Sequence, residues 1–482
     1  MYAFPLLLLL GCPSPDHPQP KDTYAPHDTQ PPSDSRAGDT GDSAACPPPS
    51  FLGDPTLERW VGSRYDLLFE GAQGATIDGE ALACATLGLR LHCAWTPSGP
   101  GEPALSANSP GCAAVELTTL PVIEPSGVHP RGDRYMMALY SAEPSEHVAT
   151  FSDLAAEGVN AAHTYSAPGD YLDSWQQDAA TAGLIFSAHV GDADEIEPAL
   201  TLEGLGWWEL PEELRYWYPD ELNTVRDLSQ AIRAVDNRPV YMYIPGHYHA
   251  SDIAYYVEHL DLIGAGAYAE YAGQPHAWVR WRVESEIEAI ELAGYTIADK
   301  TPLGIIGVFD SRYVDNGGVP DRTEVVHDHL AAVAAGARGL YTFSWWHAVY
   351  DQDVGQSAQA ILDVATRISG EEALGEWVLR GADKGTLDLS VTSGPTEVEV
   401  TPHLYDEPLV YPSVWARAWE HAGAWTVVAV NSSEQEVTST VSGLPGERVE
   451  RIYDGVLQEA PGGTLELTLG RLEVRVMRVV VE

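Results

Sequence analysis

Pro239-Val240-Tyr241-Met242-Tyr243-Ile244-Pro245 is apolar or aromatic throughout and closed by proline at both ends. A helical pattern over Asp252–His259 and a second apolar run over Leu260–Tyr268 follow it. A strand buried on both faces reads as such a continuous run, and strand–helix–strand order is the unit from which parallel sheets are built. The same texture extends in both directions. Upstream, strands are predicted at Tyr135–Tyr140, Val159–Tyr165, Leu184–His189 and Leu205–Leu210; downstream, at Pro302–Asp310 and Gly339–Trp345. Helices are predicted at Glu146–Glu157, Tyr171–Ala182, Asp220–Val235, Trp278–Ala293, Glu324–Ala335 and Ala358–Ile368. Eight such repeats in roughly 240 residues meet the requirement of a (β/α)8 barrel. The third repeat is the leanest, since Asp192 to Leu200 leaves little room for a helix. The alternative is an open doubly wound sheet, but no G-x-G-x-x-G or P-loop segment follows the first strand. The expected fold is therefore α/β, a (β/α)8 TIM barrel over residues 128–372.

The flanks read differently. The chain has 482 residues, a length that implies about three domains. Beyond Gly370 the helical period gives way to alternating runs at Thr386–Val391, Glu397–Val400, Val414–Trp419, Trp425–Val430, Glu436–Val441 and Leu465–Val480. Turn residues separate them, so an antiparallel β-sandwich is expected over residues 373–482. Such a module either caps the barrel or binds glycan through an exposed Trp. The cap is favoured, because the strands carry no aromatic row. Residues 51–127 hold short strand-like runs at Arg64–Phe69 and Leu87–His92 and are expected to form a small β-rich module. Residues 13–50 are dense in Pro, Asp, Ser and Thr, the composition of an extended, disordered tether.

At the start, an apolar run from Phe4 to Leu10 is too short to span a bilayer, and Leu9-Leu10-Gly11-Cys12 resembles a bacterial lipobox. The resemblance implies cleavage of residues 1–12 before Cys12 and lipidation of that cysteine. The protein would then be anchored in the cell envelope, and Pro13 after the cysteine points to the outer membrane. The other cysteines, Cys46, Cys84, Cys93 and Cys112, form an even set in an exported chain. They suggest two disulfides, with all three pairings open.

The formal charge is −45, from 71 acidic and 26 basic residues, which excludes a phosphate-backbone partner such as nucleic acid. The hydrophobic share of 44% with only 20% charged residues assigns the bulk of the chain to a packed globular class. In a (β/α)8 barrel the chemistry lies at the C-terminal strand ends. Here those ends carry Tyr140, His163, Tyr165, His189, Glu209, Glu212, Glu213, His247, His249, Tyr268, Glu270, Asp310, Trp345, Trp346 and His347. A rim of aromatics, imidazoles and carboxylates suits a sugar: ring faces stack on C–H patches, and paired carboxyl groups supply acid and base.

Trp208-Glu209-Leu210-Pro211-Glu212-Glu213-Leu214-Arg215 resembles the W-E-L-x-N-E-P-R segment of clan A glycoside hydrolases, especially mannanase-like members. The resemblance makes Glu213 the general acid/base, or Glu212 if the alignment shifts by one, with Glu209 inside the strand and Trp208 beside it. Gly307-Val308-Phe309-Asp310 stands where the family has G-E-F-G, so Val308 occupies the nucleophile's position. Asp310 and Glu270 are the candidate partners. The stretch Gly336 to Trp346 resembles the family's last strand, whose Trp forms a sugar-binding floor. The implied function is an exported glycoside hydrolase acting on an oligo- or polysaccharide, without cofactor or metal. Two readings stand beside it. One is an inactive barrel that binds glycan. The other is a zinc hydrolase built on His163, His189, His247 and His249.

Overall fold

A computed structural model of the chain describes residues 46–480 except 52–54, 56–58, 61–64, 88–89, 96, 124–134, 141, 143–149, 165–171, 203, 237, 315–316, 352, 370–373, 404, 406 and 422. Residues 1–45, with the expected leader, Cys12 and most of the tether, lie outside them, as does Tyr165. The unit from Pro47 onward is built around a closed barrel of eight parallel strands in chain order. These are β1 (Met136–Leu139), β2 (Ala161–Ala162), β3 (Ile185–His189), β4 (Leu205–Glu209), β5 (Val240–Ile244), β6 (Leu262–Ala267), β7 (Thr301–Gly307) and β8 (Gly339–Phe343). β8 pairs with β1, in register from Met136↔Gly339 to Leu139↔Thr342, which closes the ring.

Strand alternation divides the barrel residues into two layers. Met136, Ala138, Tyr140, Ile185, Trp207, Tyr241, Tyr243, Leu303, Ile305 and Tyr341 pack together inside the ring. Met137, Leu139, Phe186, Trp208, Met242, Ile244, Ile306 and Val308 join the layer between strands and helices. The helices sit close to their predicted places, as at Pro219–Arg233, Ala277–Leu292 and Arg322–Ala335. Capping explains the last of these starts: Asp321 accepts from Glu324 N, and the Glu324 carboxylate accepts from Asp321 N. The lean third repeat holds only a 3-10 turn, Ala193–Glu195, and a single helical turn, Ile196–Ala199. Short helices at Ala269–Ala272, Trp345–Tyr350 and Leu374–Arg380 were not expected from the periodicity, which needs more than two turns to register.

Upstream, two four-stranded antiparallel arrangements carry the β-rich residues. Cys84 and Cys93 are disulfide-bonded across neighbouring strands, and Cys46 and Cys112 are each in a disulfide as well. Downstream, a six-stranded and a three-stranded antiparallel sheet enclose a separate core of Val414, Ala416, Val427, Val437, Leu467, Met477 and their neighbours. The predicted run Leu465–Val480 is two strands, Leu465–Leu469 and Val474–Val480, in different sheets; a turn with Leu472 at φ +50° separates them.

Candidate active site

At the C-terminal end of the barrel a polar tier rests on the aromatic interior. The Tyr140 hydroxyl lies 3.1 Å from Glu209 Oε1, 3.0 Å from Glu212 Oε1 and 3.3 Å from the Tyr241 hydroxyl. His163 Nε2 stands 3.0 Å from Glu209 Oε2, with both side chains fully buried. Burial and the nearby Glu209 carboxylate push the Tyr140 and Tyr241 phenols well above their usual range, so both keep their protons and act as donors. His189 stands beside this tier at the end of β3. Burial lowers its pKa, opposed by Glu209 and assisted by His163, and its Nδ1 is buried without a hydrogen-bond partner among the described residues. One layer below, the buried Ser187 Oγ and Trp207 Nε1 likewise have none.

Glu213 stands above the tier. Its backbone is left-handed, φ +56°, a conformation that a non-glycine residue adopts at a cost of about 1 kcal/mol or more. The turn is nevertheless tied down, because Glu213 N–H donates to the Tyr243 carbonyl at 3.0 Å. The left-handed residue separates two adjacent carboxyl groups: Glu212 reaches the Tyr140 hydroxyl, while Glu213 is exposed at the mouth. Exposed by area, Glu213 is still crowded enough by surrounding protein that desolvation raises its pKa.

An aromatic wall flanks the mouth. Tyr268 stacks on Tyr243 and Phe343 at 6.0 and 5.7 Å and meets Phe309 edge-on at 5.4 Å. Tyr271 extends it, 6.0 Å from Phe309 and 6.2 Å from Tyr313. Burial raises both phenols, with a further contribution from Glu213 at Tyr271 and from Tyr271 and Asp310 at Tyr313, so Tyr271 neighbours Glu213 and Tyr313 neighbours Asp310. Asp310 accepts two hydrogen bonds from Arg312 Nε, at 2.9 and 3.1 Å, and one from its backbone N–H. These hold its pKa below the usual range and keep it ionised.

Several expected rim residues stand elsewhere. Trp208 faces the helices, where its Nε1 donates to Asp236 Oδ2 at 2.8 Å; the inward neighbour is Trp207. Trp345 is buried in the same outer layer, leaving Trp346, 40% exposed, as the accessible ring of that pair. Glu270 turns to the flank of the barrel, 3.4 Å from His276 Nε2. Val308 also faces outward, so the inward groups where β7 ends are Gly307 and Phe309. The four-histidine constellation does not form. His247 and His249 turn to His403 and Tyr405, and burial together with His403 lowers His247 to about 4. Tyr241, Tyr243, Tyr271 and Phe309 were not among the expected site residues. The alternation of Tyr241 and Tyr243 on β5 was the available signal for two of them.

No family model matches the chain, and no curated protein matches it. Among solved structures it is similar to a cyclomaltodextrinase, with 9% identity over 88% of this chain and 98% of that one and a TM-score of 0.49. It is similar to a candidate alpha-galactosidase from Bacteroides fragilis, with 10% identity over 90% and 98% and a TM-score of 0.47. A β-L-arabinopyranosidase from Geobacillus stearothermophilus gives 11%, 72%, 97% and 0.45 in the same order. At such identity and overlap these likenesses speak for neither activity nor substrate.

Proposed function

We propose that the barrel mouth is a glycoside hydrolase site in which Glu213 donates the proton to the leaving oxygen and Asp310 is the opposed carboxylate. The observation that carries this reading is Glu213 itself: an accessible carboxyl group on a strained but hydrogen-bonded turn, with its pKa raised by desolvation. A general acid needs that combination, because it must still hold its proton near neutral pH. The Arg312 partner keeps Asp310 anionic, the state required either to attack the anomeric carbon or to activate water. Tyr268, Phe309 and Phe343 supply apolar ring faces for the sugar. Glu209 is reassigned from sugar contact to support: fully buried, it braces Tyr140 and through it Glu212.

The test is a glycan-hydrolysis screen on the full chain, comparing wild type with Glu213→Gln and Asp310→Asn and reading the product anomer. Hydrolysis abolished by both changes supports the pair. Retention would make Asp310 the nucleophile and inversion would make it the base. Activity undiminished in Glu213→Gln sinks the assignment, and glycan binding without hydrolysis favours the inactive barrel. A second reading rests on His163, Glu209 and Glu212, whose ligand atoms lie within 4.8 Å of one another. Stoichiometric zinc lost with Glu212→Gln would support a metal-assisted hydrolase there instead. Anchoring through lipidated Cys12 at the outer membrane belongs to the same proposal. Labelling with a radioactive fatty acid should mark the wild-type chain and not Cys12→Ser.

A further inference from the structure

Outside the mouth, a second cluster of ligand-type side chains lies where the barrel meets the C-terminal sandwich. His276 precedes the helix Ala277–Leu292, Glu270 lies in the short helix after β6, and Glu324 and Asp328 belong to the helix Arg322–Ala335. His276 Nε2 stands 3.4 Å from Glu270 Oε1 and 3.8 Å from Glu324 Oε1, and the three ligand atoms all lie within 4.8 Å of one another. Ligands about 2.1 Å from a tetrahedral zinc are separated by about 3.4 Å, so the three groups stand close to the spacing of one tetrahedral face. The other ring nitrogen is also placed: His276 Nδ1 is 2.8 Å from Asp328 Oδ1, the carboxylate–imidazole arrangement that orients a metal-bound histidine. Asp328 is held in turn by His327 Nδ1 at 2.8 Å, and His327 Nε2 reaches Ser432 of the sandwich at 3.3 Å.

Charge and space point the same way. Glu270, Glu324 and Asp328 are 29%, 10% and 8% exposed at their side chains, so three carboxylates share a largely buried centre. The nearest guanidinium, Arg471, bonds Glu324 but divides itself among Glu324, Asp321 and Glu434. His276 contacts all three carboxylates and supplies positive charge when protonated, so a divalent cation would take the place of its Nε2 proton. Gly318 backs the Glu270 carboxylate so closely that a Cβ there would lie 2.0 Å from Oε2, which fixes the carboxylate on the side of His276.

We propose that Glu270, His276 and Glu324 bind one divalent first-row cation, with Asp328 orienting His276 from behind. One imidazole and two carboxylates fit Zn2+ with water in the fourth position; Ca2+ prefers all-oxygen shells. The ion would pin the segment that carries Tyr268 and Tyr271 to the helix Arg322–Ala335, and so fix one wall of the mouth. It is independent of the catalytic assignment above.

The test is titration calorimetry of Zn2+ into the full chain after chelator treatment. One equivalent should bind, with affinity lowered at least tenfold in Glu270→Gln and in Gly318→Ala and unchanged in Glu212→Gln, which empties the other ligand cluster. Gly318→Ala removes no ligand and displaces only Glu270, so its effect separates ligation from loss of charge. Circular dichroism of the metal-free variants confirms that they fold. X-ray absorption of the loaded protein should show a single imidazole ligand. No stoichiometric binding, two or more imidazoles, or binding indifferent to both Glu270→Gln and Gly318→Ala overturns the assignment.

Discussion

Tyr140→Phe is the sharpest probe of the buried tier. The substitution keeps the ring in its place, 4.1 Å from both the His163 and Tyr341 rings, and removes only the hydroxyl. That oxygen is within 3.1 Å of two carboxylates, but it carries one proton and donates to one of them at a time. A hydrogen bond to a charged acceptor contributes about 1.5–3 kcal/mol, and Glu209 keeps its 3.0 Å contact with His163. The expected destabilisation therefore lies toward the lower end, about 2 kcal/mol. Urea unfolding followed by tryptophan fluorescence measures it, since Trp207 and Trp208 lie on the strand that carries Glu209. Repeating the measurement in a Glu209→Gln background separates the pair: a coupling of about 1 kcal/mol or more is expected for directly bonded groups. A loss below about 0.5 kcal/mol, or strictly additive changes, would refute the claim that Tyr140 braces Glu209. Catalysis should suffer too, with kcat/KM about tenfold lower, because Glu212 loses the hydrogen bond that the Tyr140 hydroxyl gives it.

The same geometry sets further expectations. If Glu213 is the acid, hydrolysis must fall as pH rises through its raised pKa, because only the protonated form donates; the alkaline limb should be absent from the residual activity of Glu213→Gln. That variant should lose about 10²–10⁴-fold in kcat at neutral pH, read on substrates with poor leaving groups. Trp208→Phe removes the bond to Asp236 on the outer layer, so it should lower stability by about 1–2 kcal/mol in urea unfolding while leaving glycan affinity unchanged; a large affinity loss would place the ring in the mouth after all. Replacing both Cys84 and Cys93 by Ser opens a crosslink of sequence separation 9 and should cost about 2–3 kcal/mol, seen as an earlier first transition in thermal melting.

The barrel was legible because its evidence is local. Runs such as Val240–Ile244 are apolar on both faces, and the helical spacing between them leaves few architectures that bury both. The left-handed turn at Glu213 left no trace, since nothing in Pro211-Glu212-Glu213-Leu214 marks a positive φ. Nor did sequence distance reveal that Asp310 would be held by Arg312, or Glu270 by His276.

What the sequence alone determined is which residue types reach the C-terminal ends of eight strands, because order and period set that. Which of them meet is a tertiary matter, governed by strand parity and by how the ring closes. One residue of parity sends Trp208 to the helices and Trp207 into the barrel, and puts Val308 outside and Phe309 at the mouth. Closure of β8 on β1 sets the position of Tyr140, whose hydroxyl reaches Glu209 across 69 residues of chain. A period-two pattern buried on both faces does not say which face is inward, and only the closed ring supplies that answer.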